Sequence, residues 1–472
     1  MTILLIGLLS LAAPAAAVSS QVPSGYWESV DLVDSIDAFA PGRRSWPEDL
    51  FLKDFECATD GRCSLGWTCK GGWTTHADGK TRAPYTVMAV GGESFLFLPW
   101  LSGDVTVRGM KPSFYVLKKA DKTAVRPRKE SVKPSGQIAQ STSTIKPFDD
   151  VRGKDLSGAD FSGRPDLVGT LTFNERTVWP EPAAMGKNDD PRRLMSSALN
   201  PGLGVRALHG QGITGTGVNV AIIDQPLLDD HPEFAGKLAA YRDFGCGSDS
   251  SMHGPAVASL LVGAKCGTAP GAKVYYAAVP SWKADASYYA RALDWILEQN
   301  AGLNGREKIR VVSVSAVPSG RGSPFTKDNK AWDEARGRAR AQGVLVLDAT
   351  EEEGIIGPCH HDPRDPENVS KCEPGFPGRG GRFSGLILAP VAPRAVAEQY
   401  KRGEPSYQYN GRAGLSWAIP YAAGVLALGW QARPDLSAER MQEMLFRSAR
   451  VTKQGEKIID PAGFIELVKT AR

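Results

Sequence analysis

Residues 218–224 read VNVAIID, a short apolar run with Gly215 and Gly217 just before it and Gln225-Pro226 after it. Such a run suits a strand buried on both faces, as in the middle of a parallel sheet. The same pattern returns in AKVYYAAVP (272–280), IRVVSVSAV (309–317) and GVLVLDAT (343–350). Helical spacing fills the gaps. ASYYARALDWILEQN (286–300) sets Tyr289, Leu293, Ile296 and Leu297 on one face, and KAWDEARGRARAQG (330–343) ends on a glycine. SAERMQEMLFRSAR (437–450) opens on Ser437, a good helix cap. Alternating strands and helices predict an α/β fold, a mostly parallel sheet with helices on both faces. In such sheets functional residues gather at the C-terminal ends of the strands.

Asp224 sits at such an end. His253 stands in SMHGPAVASLLVG, where Gly254 leads into an apolar helix, and Ser416 in AGLSWAIPYAAGVLALG, at the start of another. Each alone has an ordinary reading: a turn cap, a core histidine, a helix N-cap. Together they are the parts of a nucleophilic triad. A serine hydroxyl needs a base to take its proton, histidine does this near neutral pH, and a carboxylate fixes the histidine tautomer. The order Asp, His, Ser is one of the known triad orders.

Here residues 200–450 resemble the subtilisin-like serine proteases, the subtilases. ALHGQGITGTGVNVAIID with the following HPEF is similar to that family's Asp segment. HGPAVASLLVG resembles its HGTHVAG helix, GTAPGAKVYYAAV the strand after it, and GLSWAIPYAAGVLAL its GTSMAxPxVAG serine helix. The resemblance implies a subtilisin-like fold and a peptide-bond hydrolase, with Ser416 as nucleophile, His253 as general base and then acid, and Asp224 as orienter. It implies a polypeptide substrate and no cofactor.

The chain also departs from the pattern. Gln225-Pro226 follow the Asp, Pro255-Ala256 follow His-Gly, and Leu415 precedes the serine. The family's oxyanion Asn has its match near Glu352, whose ionised carboxylate would repel an oxyanion. Thr350, or a protonated Glu351 or Glu352, is the substitute donor to expect. The strand that holds substrate backbone is matched by Ser315, Ala316 and Val317, followed by Pro318, which cannot donate a backbone hydrogen bond. An alternative reading follows from these departures: a catalytically weak or inactive subtilase fold that binds peptides or partners.

The rest of the 472 residues reads as attachments. Residues 1–17 form an apolar leader with Ala15-Ala16-Ala17 as an A-x-A cleavage signal, so a secreted or periplasmic protein is expected. Residues 18–118 hold short apolar runs (YTVMAV, SFLFLPW, DVTVRG, SFYVLKK) punctuated by Gly and Pro, a small β-rich domain. Residues 119–150 are a basic Ser/Thr/Pro linker. In residues 151–195, DLSGA and DFSGR carry a five-residue rhythm resembling pentapeptide-repeat proteins, at most a stub of that architecture. Residues 196–472 are the peptidase domain. Arg192-Arg193 lie in a polar stretch that reads either as a processing site for a pro-segment or as an ordinary exposed loop.

The net charge of +4 gives no reason to expect nucleic acid, and no membrane partner is expected after leader cleavage. Seven cysteines in an exported chain suggest disulfides with one left over. Short loops suggest Cys246–Cys266 and Cys359–Cys372. Cys57, Cys63 and Cys69 cluster without a histidine or C-x2-C spacing, so no metal is expected there. The oxygen-rich DDHPEF and HHDPRDPEN leave room for structural calcium but lack EF-hand spacing.

Overall fold

In the computed structural model the opening run forms the strand Asn219–Asp224, at the centre of five parallel strands. The order across the sheet is Leu238–Asp243, Lys273–Ala278, Asn219–Asp224, Val311–Val314, Leu345–Asp348. Register pairs Asp224 with Ala278, and Ile223 with both Ala277 and Val314. The structure describes residues 21–46, 48–101, 105, 111–122, 145–321, 323–350, 354–378 and 383–471.

Side-chain alternation along the central strand decides what faces what. Ala221 and Ile223 join a core with Tyr289, Leu293 and Ile296 of the helix Ser287–Ala301 and Trp332 of the helix Asn329–Ala341. Val220, Ile222 and Asp224 point to the other face, which carries the helices His253–Val262 and Ala418–Ala432. Both helices are apolar all round and almost wholly buried, as expected of helices enclosed in a large domain. Ser437 caps the helix Ala438–Ser448 by accepting from the Arg440 amide, as its sequence predicts.

Two compact units are present. The smaller comprises residues up to 45 together with 52–124, the larger 46–51 together with 125–472. The smaller is an antiparallel sheet in the order Asp54–Cys57, Gly25–Val33, Phe114–Ala120, Glu93–Pro99, Thr86–Val90. Val33, Phe95, Phe97 and Val116 form its core. Three of the four expected apolar runs carry strands, whereas DVTVRG lies almost wholly outside the described residues. So do the leader and positions 123–144 of the linker.

In the larger unit the five-residue rhythm has a direct physical expression. Val151, Leu156 and Phe161, five apart, are all buried. Each accepts a turn hydrogen bond from the residue three on, Lys154, Ala159 and Arg164. Their own amides donate to Thr172, Val178 and Ala184 of the returning chain. That chain contributes the strand Thr172–Asn174 to a small antiparallel sheet with Arg394–Glu398 and Ser406–Asn410.

Above this sheet lies a buried ionic cluster. Arg176 pairs with Glu48 and, at 3.0 Å, with Glu398, while Asn174 donates to both carboxylates. Arg152 reaches Glu398 at 3.4 Å, Asp150 at 2.7 Å and Gln408 at 2.7 Å, and Tyr400 donates to Glu398. Burial, and then the neighbouring Glu48 carboxylate, push Glu398 up from 4.5 to about 7 against the pull of the two arginines.

The cysteines divide differently from expectation. Cys57–Cys63 and Cys359–Cys372 are disulfides, and Cys69, Cys246 and Cys266 are free. The expected Cys246–Cys266 bridge is absent because the ten-residue helix His253–Val262, ~15 Å long, separates the two. Cys266 instead donates to Glu233 at 3.3 Å. In the N-terminal cluster the Cys69 sulfur lies within 4.8 Å of the disulfide sulfurs, and burial pushes its thiol up to about 11.

The raised Glu398 gives a testable pH dependence. Between pH 4.5 and about 7 the folded chain keeps a proton that the unfolded chain has released, so this residue's contribution to stability is lost as pH rises. Glu398→Gln removes that titration. The melting temperature of the variant relative to wild type should therefore climb from about pH 5 to about pH 8. A difference that stays flat or falls over that range excludes the assignment.

Candidate active site

Asp224, at the C-terminal end of the central strand, lies beside the first residue of the helix His253–Val262. Its Oδ1 is 2.6 Å from His253 Nδ1, and the same oxygen accepts the Gln225 amide at 2.7 Å. The Asp224 side chain is only 4% exposed, against 15% for His253, so the carboxylate is shielded while the imidazole keeps an open side. A carboxylate on Nδ1 sets the tautomer that leaves Nε2 free to act as a base.

The departures around these residues serve this contact. The Pro226 carbonyl accepts from Ser251 Oγ at 3.0 Å, and that hydroxyl accepts from the Gly254 amide at 3.0 Å. The Gln225 carbonyl accepts from the buried Tyr276 hydroxyl, and Gln225 Nε2 donates to Ser281 Oγ at 2.6 Å. The Gln-Pro turn thus ties the strand end to the helix start. Gly254 makes the approach feasible: a Cβ there would stand 2.3 Å from the Gln225 carbonyl and 2.6 Å from that of Pro226. Pro255 falls in the first helical turn, where its missing N–H costs little. Sequence reasoning missed Ser251. Its signal was a hydroxyl three residues before a helical amide, a common side-chain-to-backbone pattern.

Ser416 lies in the turn Leu415–Trp417, directly before the helix Ala418–Ala432. Its hydroxyl donates to the Ser315 carbonyl at 3.3 Å, and Ser315 Oγ donates to the Ser416 carbonyl at 2.8 Å. Among the described residues no hydrogen bond joins Ser416 to His253. What touches His253 from this turn is Trp417, ring centroids 5.3 Å apart at 65°. Gly424 lets the helix close on Thr268, whose Cβ would lie 2.5 Å from an added Cβ.

Ser315, Ala316 and Val317 follow the strand Val311–Val314. Their carbonyls accept from Ser416, the Ala349 amide and Ser323 Oγ respectively, and the Pro318 carbonyl accepts from Asn329. Each keeps a second lone pair for a ligand. The Ala349–Ala316 bond sets Thr350 beside this segment. Thr350 is buried, its amide donates to Asp348, and its Oγ1 has no partner among the described residues. Glu352 lies outside the described residues.

Residues 215–369 match the model described as the Subtilase family, a span that takes in Asp224, His253 and Ser315–Val317 and stops before Ser416. The chain is similar to proteins of that family. It is 25% identical over 327 residues to the subtilisin-like protease PopC of Myxococcus xanthus, covering 61% of this chain and 67% of that protein. It is 29% identical over 255 residues to M-protease of Shouchella clausii, covering 52% of this chain and 62% of the relative. Among solved structures, fervidolysin from Fervidobacterium pennivorans matches with a TM-score of 0.42 at 18% identity, over 57% of this chain and 45% of that one.

The close approach at Gly254 is open to test. Gly254→Ala sets a methyl against two backbone carbonyls and must push the helix start off the strand end. Overpacking of this kind costs ~1–3 kcal/mol, measurable by denaturant unfolding. A variant as stable as wild type would show that the contact is looser than described.

Proposed function

We propose that the chain is an exported serine endopeptidase that hydrolyses peptide bonds through Asp224, His253 and Ser416. The observation that carries the reading is the 2.6 Å contact between Asp224 and His253 Nδ1. It is a buried carboxylate orienting a partly exposed imidazole, within the span that matches the Subtilase family. The apolar leader supports export. Among the described residues no helix is long and apolar enough to cross a membrane.

In this mechanism Ser416 Oγ turns from the Ser315 carbonyl to His253 Nε2 and attacks the substrate carbonyl carbon as its proton passes to the imidazole. Asp224 stabilises the imidazolium so formed. The Ser416 amide, at the start of its turn, and the Thr350 hydroxyl donate to the oxyanion. His253 then protonates the leaving amine, and a water molecule repeats the sequence to release the acid. The polypeptide substrate lies along Ser315–Val317 using the free lone pairs of their carbonyls.

A second reading, a subtilase fold kept for binding, draws support from the orientation of Ser416, whose hydroxyl is engaged by Ser315 and not by His253. A fluorophosphonate probe separates the two. The hydrolase labels at Ser416, and labelling vanishes in Ser416→Ala. A folded wild-type chain that takes no label supports the binding reading.

Thr350 has its own test. Thr350→Val keeps the shape and removes the donor, and loss of one oxyanion donor costs ~10²–10³ in turnover. Thr350→Ser should keep most of the rate. Equal rates for Val and wild type exclude Thr350 from the oxyanion hole.

A further inference from the structure

We propose that Trp417 is a positioning residue for His253, holding the imidazole from the side that Asp224 does not reach. The inference rests on the hydrolase reading of this site.

Asp224 grips the ring at one atom, Nδ1. A histidine χ2 is a broad, two-fold torsion, so a single hydrogen bond leaves the ring able to pivot about that atom. Such a pivot moves Nε2, the atom that must meet Ser416. The Trp417 ring is the barrier to it, its centroid 5.3 Å from that of the imidazole in a T-shaped contact. The indole is itself fixed. It is 5% exposed and packs with Ala256, Leu260 and Val396, with Met252 and Ala413 alongside. Ala256 and Leu260 lie three and seven residues after His253, on the helix face that His253 begins. One rigid side chain therefore spans the serine turn and the histidine helix and sets the gap between them.

The indole N–H indicates which part of the residue matters. Nε1 is buried and has no partner among the described residues. A buried unpaired donor is a cost with no return in hydrogen bonding, so the ring's shape, not its N–H, is what the site uses. Phenylalanine should then serve, and a small or flexible side chain should not.

The test uses the full chain and the fluorophosphonate probe, with kinact and KI measured separately. Trp417→Phe should keep kinact within ~3-fold, whereas Trp417→Ala should lower it ~10–100-fold with KI nearly unchanged, since displacement of a catalytic group by ~1 Å costs about that much. The role is overturned if the Ala variant labels at the wild-type rate, if the loss falls on KI alone, or if Phe is as slow as Ala. Should Trp417→Ala fail to fold, Trp417→Met replaces it under the same criteria. A wild type that does not label sinks the hydrolase reading and this role with it; a wild type that labels beside an equally fast Ala variant sinks this role alone.

Discussion

The structure of the site depends on a buried carboxylate at the end of a buried strand. Asp224 ends a strand that lies between two parallel neighbours, pairs itself with Ala278, and has a side chain only 4% exposed. An ionised group in that position needs partners, because burial without them costs several kcal/mol by order of magnitude. Two are supplied, the Gln225 amide and the His253 ring. Both come from the segments that the strand end must touch in any case. Fixing the carboxylate therefore fixes the turn after it and the helix beside it, and the histidine follows.

The unusual residues near the motifs look different from this standpoint. The Pro226 carbonyl receives Ser251, which seats the histidine helix, and the Gln225 carbonyl receives Tyr276 of the neighbouring strand Lys273–Ala278. Trp417 fills the space between that helix and the serine turn. Both features pack around the Asp–His pair. The serine side is less settled. Ser416 is bonded to Ser315, and the segment 315–318 has spent one lone pair on each carbonyl within the chain. Binding of an extended substrate would compete with these contacts, and turning Ser416 toward His253 would release one of them.

Much of the parallel-sheet region was legible because its signals are local. Strands buried on both faces must be apolar throughout, so VNVAIID, KVYYAA and VVSV announced themselves, and the helices between them carry a clear period. The Asp–His contact was readable because both residues sit at element ends that parallel topology brings together. What could not be read depends on pairing across long sequence distances. The partnership of Thr172–Asn174 with Ser406–Asn410 is one case. The burial of Glu48 against Asn174 and Arg176 is another. Cysteine spacing served for Cys359–Cys372, where a short loop joins antiparallel neighbours. It failed for Cys246 and Cys266, where the helix His253–Val262 lies between them.

The segment before the parallel-sheet region raises the question of whether it can be shed. Residues 145–199 share a core with Ala395 and Tyr409, and Phe173 stacks on Tyr409 with centroids 4.7 Å apart. Its strand closes one edge of the Arg394–Asn410 hairpin, and Arg152 and Arg176 neutralise Glu398. Removal would leave an open edge, bare aromatic surface and an uncompensated buried acid together. Nor is Arg192-Arg193 presented as a cleavage site. Both residues lie in the first turn of the helix Pro191–Ala198, their amides held by the Asp190 cap, whereas a protease needs an extended chain. The same segment reaches toward His253, since Arg152 donates to Gln408, and Gln408 donates in turn to the sulfur of Met252, the residue before it. A segment so joined to the hairpin beside the site behaves as part of the fold that holds the histidine.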